Sequence, residues 1–150
     1  LVTGVQTCAL PILENVLIPY MMNNPKPPKE IIERAQELMN MVGIYEVKDN
    51  LASNMSGGQQ QRTAIARALI NNPKIILADE PTGNLDSQST ENVYTILKDI
   101  NQKFNTTFII ITHDQRIAEK TDRIIEIKDG RINMDINNKD NLTNNINDEL

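Results

Sequence analysis

The sequence has a single cysteine, Cys8, and lacks an apolar run long enough to span a membrane. One cysteine cannot form a disulfide within the chain, and no charged segment precedes an apolar one as a secretory signal requires. Apolar runs such as 75–78 and 108–111 fall far short of the roughly 18 residues that a spanning helix needs. These features exclude a disulfide-stapled secreted fold.

The sequence also has little net charge once its ends are set aside. Of the formal charge of −5, residues 133–150 carry −3 and residues 1–12 carry none. Residues 13–132 therefore hold 16 acidic and 14 basic side chains, a net charge of −2. Because a nucleic-acid surface needs a basic patch, we expect no nucleic-acid partner.

Residues 1–12, LVTGVQTCALPI, have the pattern of neither a helix nor a strand that continues into residue 13. Residues 2–12 resemble the translation of a sequencing-library adapter. We therefore interpret 1–12 as an artefact outside the fold, in which case Cys8 is not native. The alternative is a genuine amino-terminal strand and loop.

Two helices are predicted after an apolar segment at 13–20 and a loop rich in proline and asparagine at 23–28. The first starts at Pro28 and stops at Gly43, with apolar residues at three- and four-residue spacing: Ile31, Ala35, Leu38, Met39 and Val42. The second covers 56–70, where an Asn-Asn-Pro sequence ends it.

Two short apolar runs, each followed at once by polar residues, predict strands at 75–78 and 108–111 that are buried on both faces. A helix at about 89–104 lies between them, and 123–132 predicts a hairpin that turns at Asp129-Gly130. Strands that alternate with helices indicate an α/β fold with a mainly parallel sheet. Residues 133–150 contain seven asparagines and no sustained apolar period, which predicts a disordered tail.

A serine followed by two glycines starts the second predicted helix. Ser56 can cap the helix, and Gly57 and Gly58, ahead of Gln59, let a ligand approach the backbone closely. Free amides and the positive end of the helix dipole favour an anion, for which phosphate is the natural ligand. An ordinary flexible turn is the alternative.

Asp79 and Glu80 follow the first predicted strand, and His113, the only histidine, lies just beyond the second. Parallel strands place their carboxyl ends at one edge of a sheet, where doubly wound folds bind ligands. One carboxylate can hold Mg²⁺ through water while its neighbour accepts a proton from an attacking water. His113 suits a phosphoryl oxygen or that water. Loop capping by the carboxylates and a structural histidine are the alternatives.

The stretch MSGGQQQRTAIARALINNPKIILADEPTGNLDS, followed by IIITHD, resembles the ATPase subunit of ATP-binding cassette (ABC) transporters over about 13–132. MSGGQ is similar to the family signature LSGGQ, with Met55 in place of leucine. IILADE resembles the Walker B strand with its catalytic glutamate, residues 83–86 the D-loop, and His113 the switch histidine. PTGNLDS and QQQR most resemble the lipoprotein-release and macrolide-export branch, which includes the cell-division member.

This resemblance implies an incomplete α/β P-loop NTPase fold of ABC type. Residues 13–55 would form part of the helical subdomain, and 56–132 the signature helix and the carboxy-terminal part of the ATPase core. In such proteins ATP lies between two head-to-tail ATPase subunits, and hydrolysis moves membrane permease subunits. The resemblance thus implies a bacterial subunit that is cytoplasmic and peripheral at the cytoplasmic face of the cell membrane.

The resemblance also implies residue roles by matching position. Ser56, Gly57 and Gly58 would contact the γ-phosphate of ATP held by the partner subunit, with Gln59 in the same binding loop. Asp79 would hold Mg²⁺ through water, and Glu80 would be the general base. His113 would sense the γ-phosphate, and Asp86 would couple the two sites across the dimer.

One family motif does not occur in the sequence. No G-x-x-x-x-G-K-[ST] P-loop is present, and the adapter-like segment stands where the glutamine loop should end. We therefore interpret the chain as the carboxy-terminal part of a longer ATPase, inactive alone. Loss of the P-loop strand should expose apolar sheet surface and lower solubility.

Two other functional classes stay open. Chromosome-maintenance and DNA-repair ATPases share a signature loop and a Walker B strand, but they insert long coiled-coil arms where 30–54 offers one short helix and a linker. A non-catalytic interaction module is the other class. Glu80 and His113 argue against such a module for a complete protein, although it would describe the isolated chain.

Overall fold

The structure, a computed structural model, describes residues 9–83 and 86–138. The chain divides into two compact units, one up to Ile111 and one from Thr112 onward. The first unit combines α-helices with a parallel pair of strands, and the second combines a short helix with an antiparallel hairpin. The predicted α/β class is thereby confirmed.

Three α-helices begin the first unit: α1 at Ile12–Met21, α2 at Lys29–Met41 and α3 at Gly57–Leu69. Short 3-10 helices at Tyr45–Val47 and Ala52–Asn54 connect α2 to α3. The predicted helices at 28–43 and 56–70 are confirmed within one or two residues.

Local signals explain where α2 starts and stops. Pro28 immediately precedes the first residue of α2. Proline suits a helix start because it has no N–H to leave unpaired and its φ is compatible with a helix. After the last turn, Gly43 has a φ of 69°, a left-handed conformation that costs glycine little because it has no Cβ.

The sheet of the first unit consists of β1 (Ile75–Asp79) and β2 (Thr107–Ile111), with α4 (Ser87–Phe104) between them in the chain. The strands are parallel and in register, so Asp79 lies opposite Ile111 at their carboxyl ends. Helix α4 starts two residues before the predicted position because Asp86 caps it.

The prediction that both strands are buried on two faces is wrong. Ile76 and Ala78 are buried, whereas Leu77 is 62% exposed and Ile109, directly opposite on β2, is 49% exposed. Ile75 and Ile111 share this exposure. A parallel sheet normally has helices on both faces, and the described residues cover one. We call the other the open sheet face: Ile75, Leu77, Ile109 and Ile111.

One apolar core holds the helices and the covered sheet face together. Side chains from α1 to α4 and from β1 contribute to it, and the largest are almost completely buried: Ile12, Leu38, Met39, Ile65, Leu69, Ile70 and Ile100. The amino end of α1, the middle of α3 and the inner face of α4 therefore depend on one another.

Residues 10–12 pack into the first unit, although they lie in the segment interpreted as an artefact. Ile12 is fully buried and begins α1, and its N–H donates to the carbonyl of Asn50 at 3.0 Å. The buried Asn15 side chain donates to the carbonyls of Leu10 and Pro11, each at 3.2 Å. The bond between Ile12 and Asn50 joins residues that are distant in sequence, which a local pattern does not show. Residues 1–8, with Cys8, lie outside the described residues, and the adapter origin stays a prediction.

The second unit contains α5 (Gln115–Ala118) and the antiparallel strands β3 (Arg123–Lys128) and β4 (Arg131–Asn137). The hairpin turns at Asp129 and Gly130, whose φ values are 50° and 73°. The prediction of a hairpin at Asp129-Gly130 is confirmed.

The predicted disordered tail starts too early at 133. Strand β4 continues to Asn137, which pairs with Arg123, and the Arg123 guanidinium donates to both carboxylate oxygens of Asp135 at 2.8 and 2.7 Å. Ladder hydrogen bonds and an ion pair order this stretch, and Ile132, Met134 and Ile136 alternate with polar residues as a strand requires. The remainder of that prediction, from 139 onward, lies outside the described residues.

Within the described ranges, no helix combines the length and the hydropathy needed to cross a membrane.

The packing of the core can be tested with two leucines of opposite exposure. Leu38 on α2 is 1% exposed, so Leu38→Ala should lower the free energy of unfolding by about 2–5 kcal/mol. Leu77→Ala, on the open sheet face, should change it by less than about 1 kcal/mol. Urea denaturation followed by circular dichroism measures both, and equal losses would contradict this description of the core.

Candidate functional site

The turn that precedes α3 is closed by reciprocal hydrogen bonds. The Ser56 hydroxyl accepts the N–H of Gln59 at 3.3 Å, and the Gln59 side-chain oxygen accepts the N–H of Ser56 at 3.0 Å. This capping box fixes the backbone while Ser56 and Gly57 stay exposed. The Gly57 and Gly58 amides, in the first turn, have no partner within the helix. The predicted anion site is therefore an exposed, rigid helix start.

The fold itself does not require either glycine in this turn. A Cβ added to Gly57 would meet nothing within 4 Å, and one added to Gly58 would meet only the Arg62 guanidinium at 3.8 Å. Glycine in a helix costs roughly 1 kcal/mol relative to alanine. Glycine at both positions leaves this stretch of backbone open to close approach.

Met55 anchors the turn from its buried side. It is 8% exposed, its sulfur accepts a hydrogen bond from the Thr63 hydroxyl at 3.2 Å, and its carbonyl accepts one from the Gln60 side chain at 3.2 Å. An apolar side chain of leucine size suits this position, which explains how methionine can stand there.

Asp79 and Glu80 lie at the carboxyl end of β1, and both are exposed. Glu80 has a φ of 46°, held by a hydrogen bond from its N–H to the carbonyl of Ile111 at 2.9 Å. The left-handed region costs a residue with a Cβ of order 1–3 kcal/mol, and such strain clusters at functional sites. Gly83 closes the turn, because its N–H donates to the Glu80 carbonyl at 3.1 Å. A Cβ at Gly83 would lie 3.4 Å from the Glu80 carboxylate, so a larger residue would crowd that side chain.

Asp86 caps α4 in this structure. Its carboxylate accepts the N–H of Ser89 at 2.9 Å and the Ser89 hydroxyl at 2.8 Å. These hydrogen bonds lower the pKa of Asp86, and the bond from the Ser89 backbone has the largest effect. Asn84 and Leu85, the middle of the D-loop motif, lie outside the described residues.

His113 belongs to the second unit, where it is exposed between β2 and α5. The next residue, Asp114, caps α5 through the N–H of Arg116 at 3.0 Å and also binds the Arg116 guanidinium. That side-chain bond, reinforced by charge, lowers the pKa of Asp114. The local backbone that carries His113 is thus fixed by its neighbour.

The structure brings Asp79, Glu80 and Gly83 together at one strand end, and it places the Ser56 turn at a separate helix start. Among the residues described, no group of three or more His, Cys, Asp or Glu side chains could hold a metal. A lone carboxylate still fits Mg²⁺, which keeps several waters and takes other ligands from substrate phosphates.

The sequence analysis did not identify Arg62 as a contact of the Ser56 turn. Its Nε donates to the Gly58 carbonyl at 3.3 Å, and its guanidinium also lies near Gly43, at the end of α2. The signal was available, because Gly58 and Arg62 are four residues apart in a helix and therefore share a face.

Comparison with known proteins decides the family. A profile of the ABC transporter family matches residues 7–83. The chain belongs to the ABC transporter family. The resemblance stated from the motifs is thereby confirmed, and the alternative class of chromosome-maintenance ATPases is not favoured.

Curated relatives place this ABC chain near the lipoprotein-release branch. Lipoprotein-releasing system ATP-binding protein LolD 1 of Rhodopseudomonas palustris is 46% identical over 119 residues, which cover 79% of this chain and 53% of the relative. LolD of Francisella tularensis is 42% identical over 125 residues, with 83% and 54% covered. The chain therefore spans about half the length of these relatives.

Solved structures share the ABC-type P-loop NTPase fold. The dimeric structure of MJ0796, a bacterial ABC transporter cassette, has a TM-score of 0.75 at 38% identity, over 90% of this chain and 59% of that one. A post-hydrolysis state of MJ0796 bound to ADP and Pi matches with the same score and coverage. The predicted fold class is confirmed.

The capping box of this ABC chain can be tested with two serines. Ser56→Ala removes the α3 cap and should lower the free energy of unfolding by about 1 kcal/mol. Ser53→Ala, in a neighbouring 3-10 helix where the hydroxyl contacts only the Asn54 side chain, should change it by less than about 0.5 kcal/mol. Urea denaturation distinguishes them, and a neutral Ser56→Ala would show that the cap is not needed.

Proposed function

We propose that the protein to which this chain belongs is the ATP-binding and ATP-hydrolysing subunit of an ABC transporter of the lipoprotein-releasing type. The observation that carries the proposal is the exposed Ser56 turn, whose two glycines have no steric reason within the described residues. The similarity to LolD proteins supports the branch.

The Ser56 turn would bind the γ-phosphate of ATP held by a second ATPase subunit. Its free amides and the positive end of the α3 dipole favour a phosphate, and the absence of Cβ atoms at Gly57 and Gly58 allows close approach. Gln59 already holds the turn through its side chain. The dimeric structure of the MJ0796 cassette supports a pair of ATPase subunits. In the proposed head-to-tail arrangement, the partner's P-loop would hold the remaining phosphates.

The strand end would supply the hydrolytic chemistry. Asp79 would hold Mg²⁺ through water, and the ion would neutralise charge on the phosphates. Glu80 would accept a proton from the water whose oxygen attacks the γ-phosphorus, and ADP would leave as the P–O bond breaks. The left-handed backbone of Glu80 supports this role, since it orients the carboxylate at some energetic cost.

Two further residues would connect this site to its surroundings. His113 would contact the γ-phosphate, and the ordered cap at Asp114 supports a fixed position for it. Asp86 would couple the two sites of the dimer, and its bonds to Ser89 would make that coupling depend on the start of α4.

The partners follow from the same proposal. Membrane permease subunits would receive the motion that hydrolysis produces, with the ATPase at the cytoplasmic face of the membrane. The net charge of −2 over residues 13–132 supports a function without nucleic acid.

We expect the 150-residue chain to be inactive alone. It contains no P-loop motif, so a dimer of it would have two signature turns and no cradle for the α- and β-phosphates. The open sheet face supports this expectation, because a parallel sheet in this position needs a second covering layer.

ATP hydrolysis can be tested in a fusion protein that joins residues 10–150 to the amino-terminal half of the Rhodopseudomonas palustris relative. The fusion should hydrolyse Mg-ATP, and the isolated chain should not. Glu80→Gln should lower kcat of the fusion about 100-fold or more, because the general base is lost. Glu30→Gln, an exposed change in the first turn of α2, is the matched control and should leave kcat unchanged. If the isolated chain hydrolyses ATP and Glu80→Gln abolishes that turnover, the expectation that the chain is inactive alone is contradicted.

The open sheet face can be tested by replacing its opposed pair. Leu77→Thr with Ile109→Thr should raise the solubility of the isolated chain, because less apolar surface is exposed. When the isolated chain is mixed with the separate amino-terminal half, we expect ATP turnover to be restored. The double variant should not restore it. Met22→Thr, at a side chain that is 80% exposed at the end of α1, should leave this restoration intact. Restoration by the double variant would show that the open sheet face is not where that half binds.

A further inference from the structure

Arg34 on α2 binds the carboxyl end of α3. Its Nε donates to the carbonyl of Ile70 at 3.0 Å, and its Nη2 donates to the carbonyl of Leu69 at 3.0 Å and to the Asn72 side chain at 3.3 Å. The last carbonyls of a helix have no partner within it, and the negative end of the helix dipole favours a cation there. One guanidinium thus fixes where α3 ends relative to α2.

The same face of α2 also reaches the end of α4. The Arg34 guanidinium lies 5.6 Å from the centre of the Phe104 ring, within range of a cation–π contact. One turn further along α2, Glu37 forms an ion pair with Lys103 at 2.7 Å, which lowers the pKa of Glu37. We call these four residues the α2 clamp: Arg34, Glu37, Lys103 and Phe104.

The clamp acts on the opposite end of α3 from the Ser56 turn. Helix α3 has 13 residues, so the two ends are about 20 Å apart. A tilt of about 5° at the clamped end would move the turn by about 2 Å, and misplacement by about 1 Å can cost on the order of 100-fold in rate. A small change in helix direction at Arg34 therefore produces a large displacement of the Ser56 turn.

The apolar core holds α3 in place but controls its direction less closely. The side chains of Leu69 and Ile70 are almost completely buried, while their carbonyls accept hydrogen bonds from Arg34. Apolar contacts are not directional, whereas a planar guanidinium that bonds two carbonyls and a side chain is.

We propose that Arg34 is a positioning residue, which sets the direction of α3 and thereby the place of the Ser56 turn against the phosphate of the partner subunit. The proposal rests on the proposed function of that turn. It assigns to α2 and α4 an indirect influence on catalysis, exerted through the direction of α3.

Turnover by the same fusion protein tests this proposal. Arg34→Met keeps the apolar stem and removes all donors, and Arg34→Lys restores a charge without the planar fork. The matched control is Lys29→Met, which breaks the exposed ion pair of α2 with Glu33. Arg34→Met should lower kcat about 10-fold or more with KM for ATP within about twofold, because the partner's P-loop determines ATP binding. Arg34→Lys should recover part of kcat, and Lys29→Met should match the parent.

A geometric measurement separates failure of the clamp from failure of the proposed function. Spin labels at exposed Asn54, beside the turn, and exposed Gln102, on α4, report the direction of α3 whether or not ATP is hydrolysed. The parent should give a narrow distance distribution that broadens in Arg34→Met and stays narrow in Lys29→Met. If the unsubstituted fusion protein has no turnover, the proposed function is refuted, and the distance distribution alone tests the role of Arg34.

If Arg34→Met does not fold, Phe104→Leu serves in its place. An unchanged distribution, or an equal loss of kcat in Lys29→Met, would overturn the proposal.

Discussion

The amino end of α3 must satisfy some of its polar backbone groups and leave others accessible, and the rest of the structure depends on this division. The capping box between Ser56 and Gln59 satisfies two N–H groups, while the glycines keep the following amides uncovered. Met55 secures the turn from the buried side. A rigid, exposed cluster of donors is what phosphate recognition requires.

The remaining architecture keeps this helix start in a defined place. The core holds the middle of α3 against α1 and α2, and Arg34 fixes its carboxyl end. At the sheet, the pairing of β1 with β2 holds Glu80 in a left-handed conformation through the carbonyl of Ile111. Both candidate elements therefore depend on contacts between segments that are distant in the sequence.

Short-range signals explain which features could be predicted from sequence. Pro28 and Gly43 marked α2, and the Asp129-Gly130 turn marked the hairpin, because each acts on its own backbone. The hydrogen bond from Ile12 to Asn50 joins residues that are distant in the sequence, so no local pattern shows it. The extent of β4 was readable, because Ile132, Met134 and Ile136 alternate with polar residues. The open sheet face contradicted the expectation of burial, because burial of a strand depends on a covering layer as well as on its own residues. The adjacency of Asp79 and Glu80 was readable in sequence, whereas the strained backbone of Glu80 was not.

The central claim is that the Ser56 turn receives a phosphate from across a dimer interface. A structure of the Glu80→Gln fusion protein with Mg-ATP measures this directly. We expect the γ-phosphate held by one subunit to lie within hydrogen-bond distance of the Ser56 hydroxyl and the Gly58 amide of the other. A γ-phosphate bound entirely within one subunit, with both turns exposed to solvent, would contradict the account.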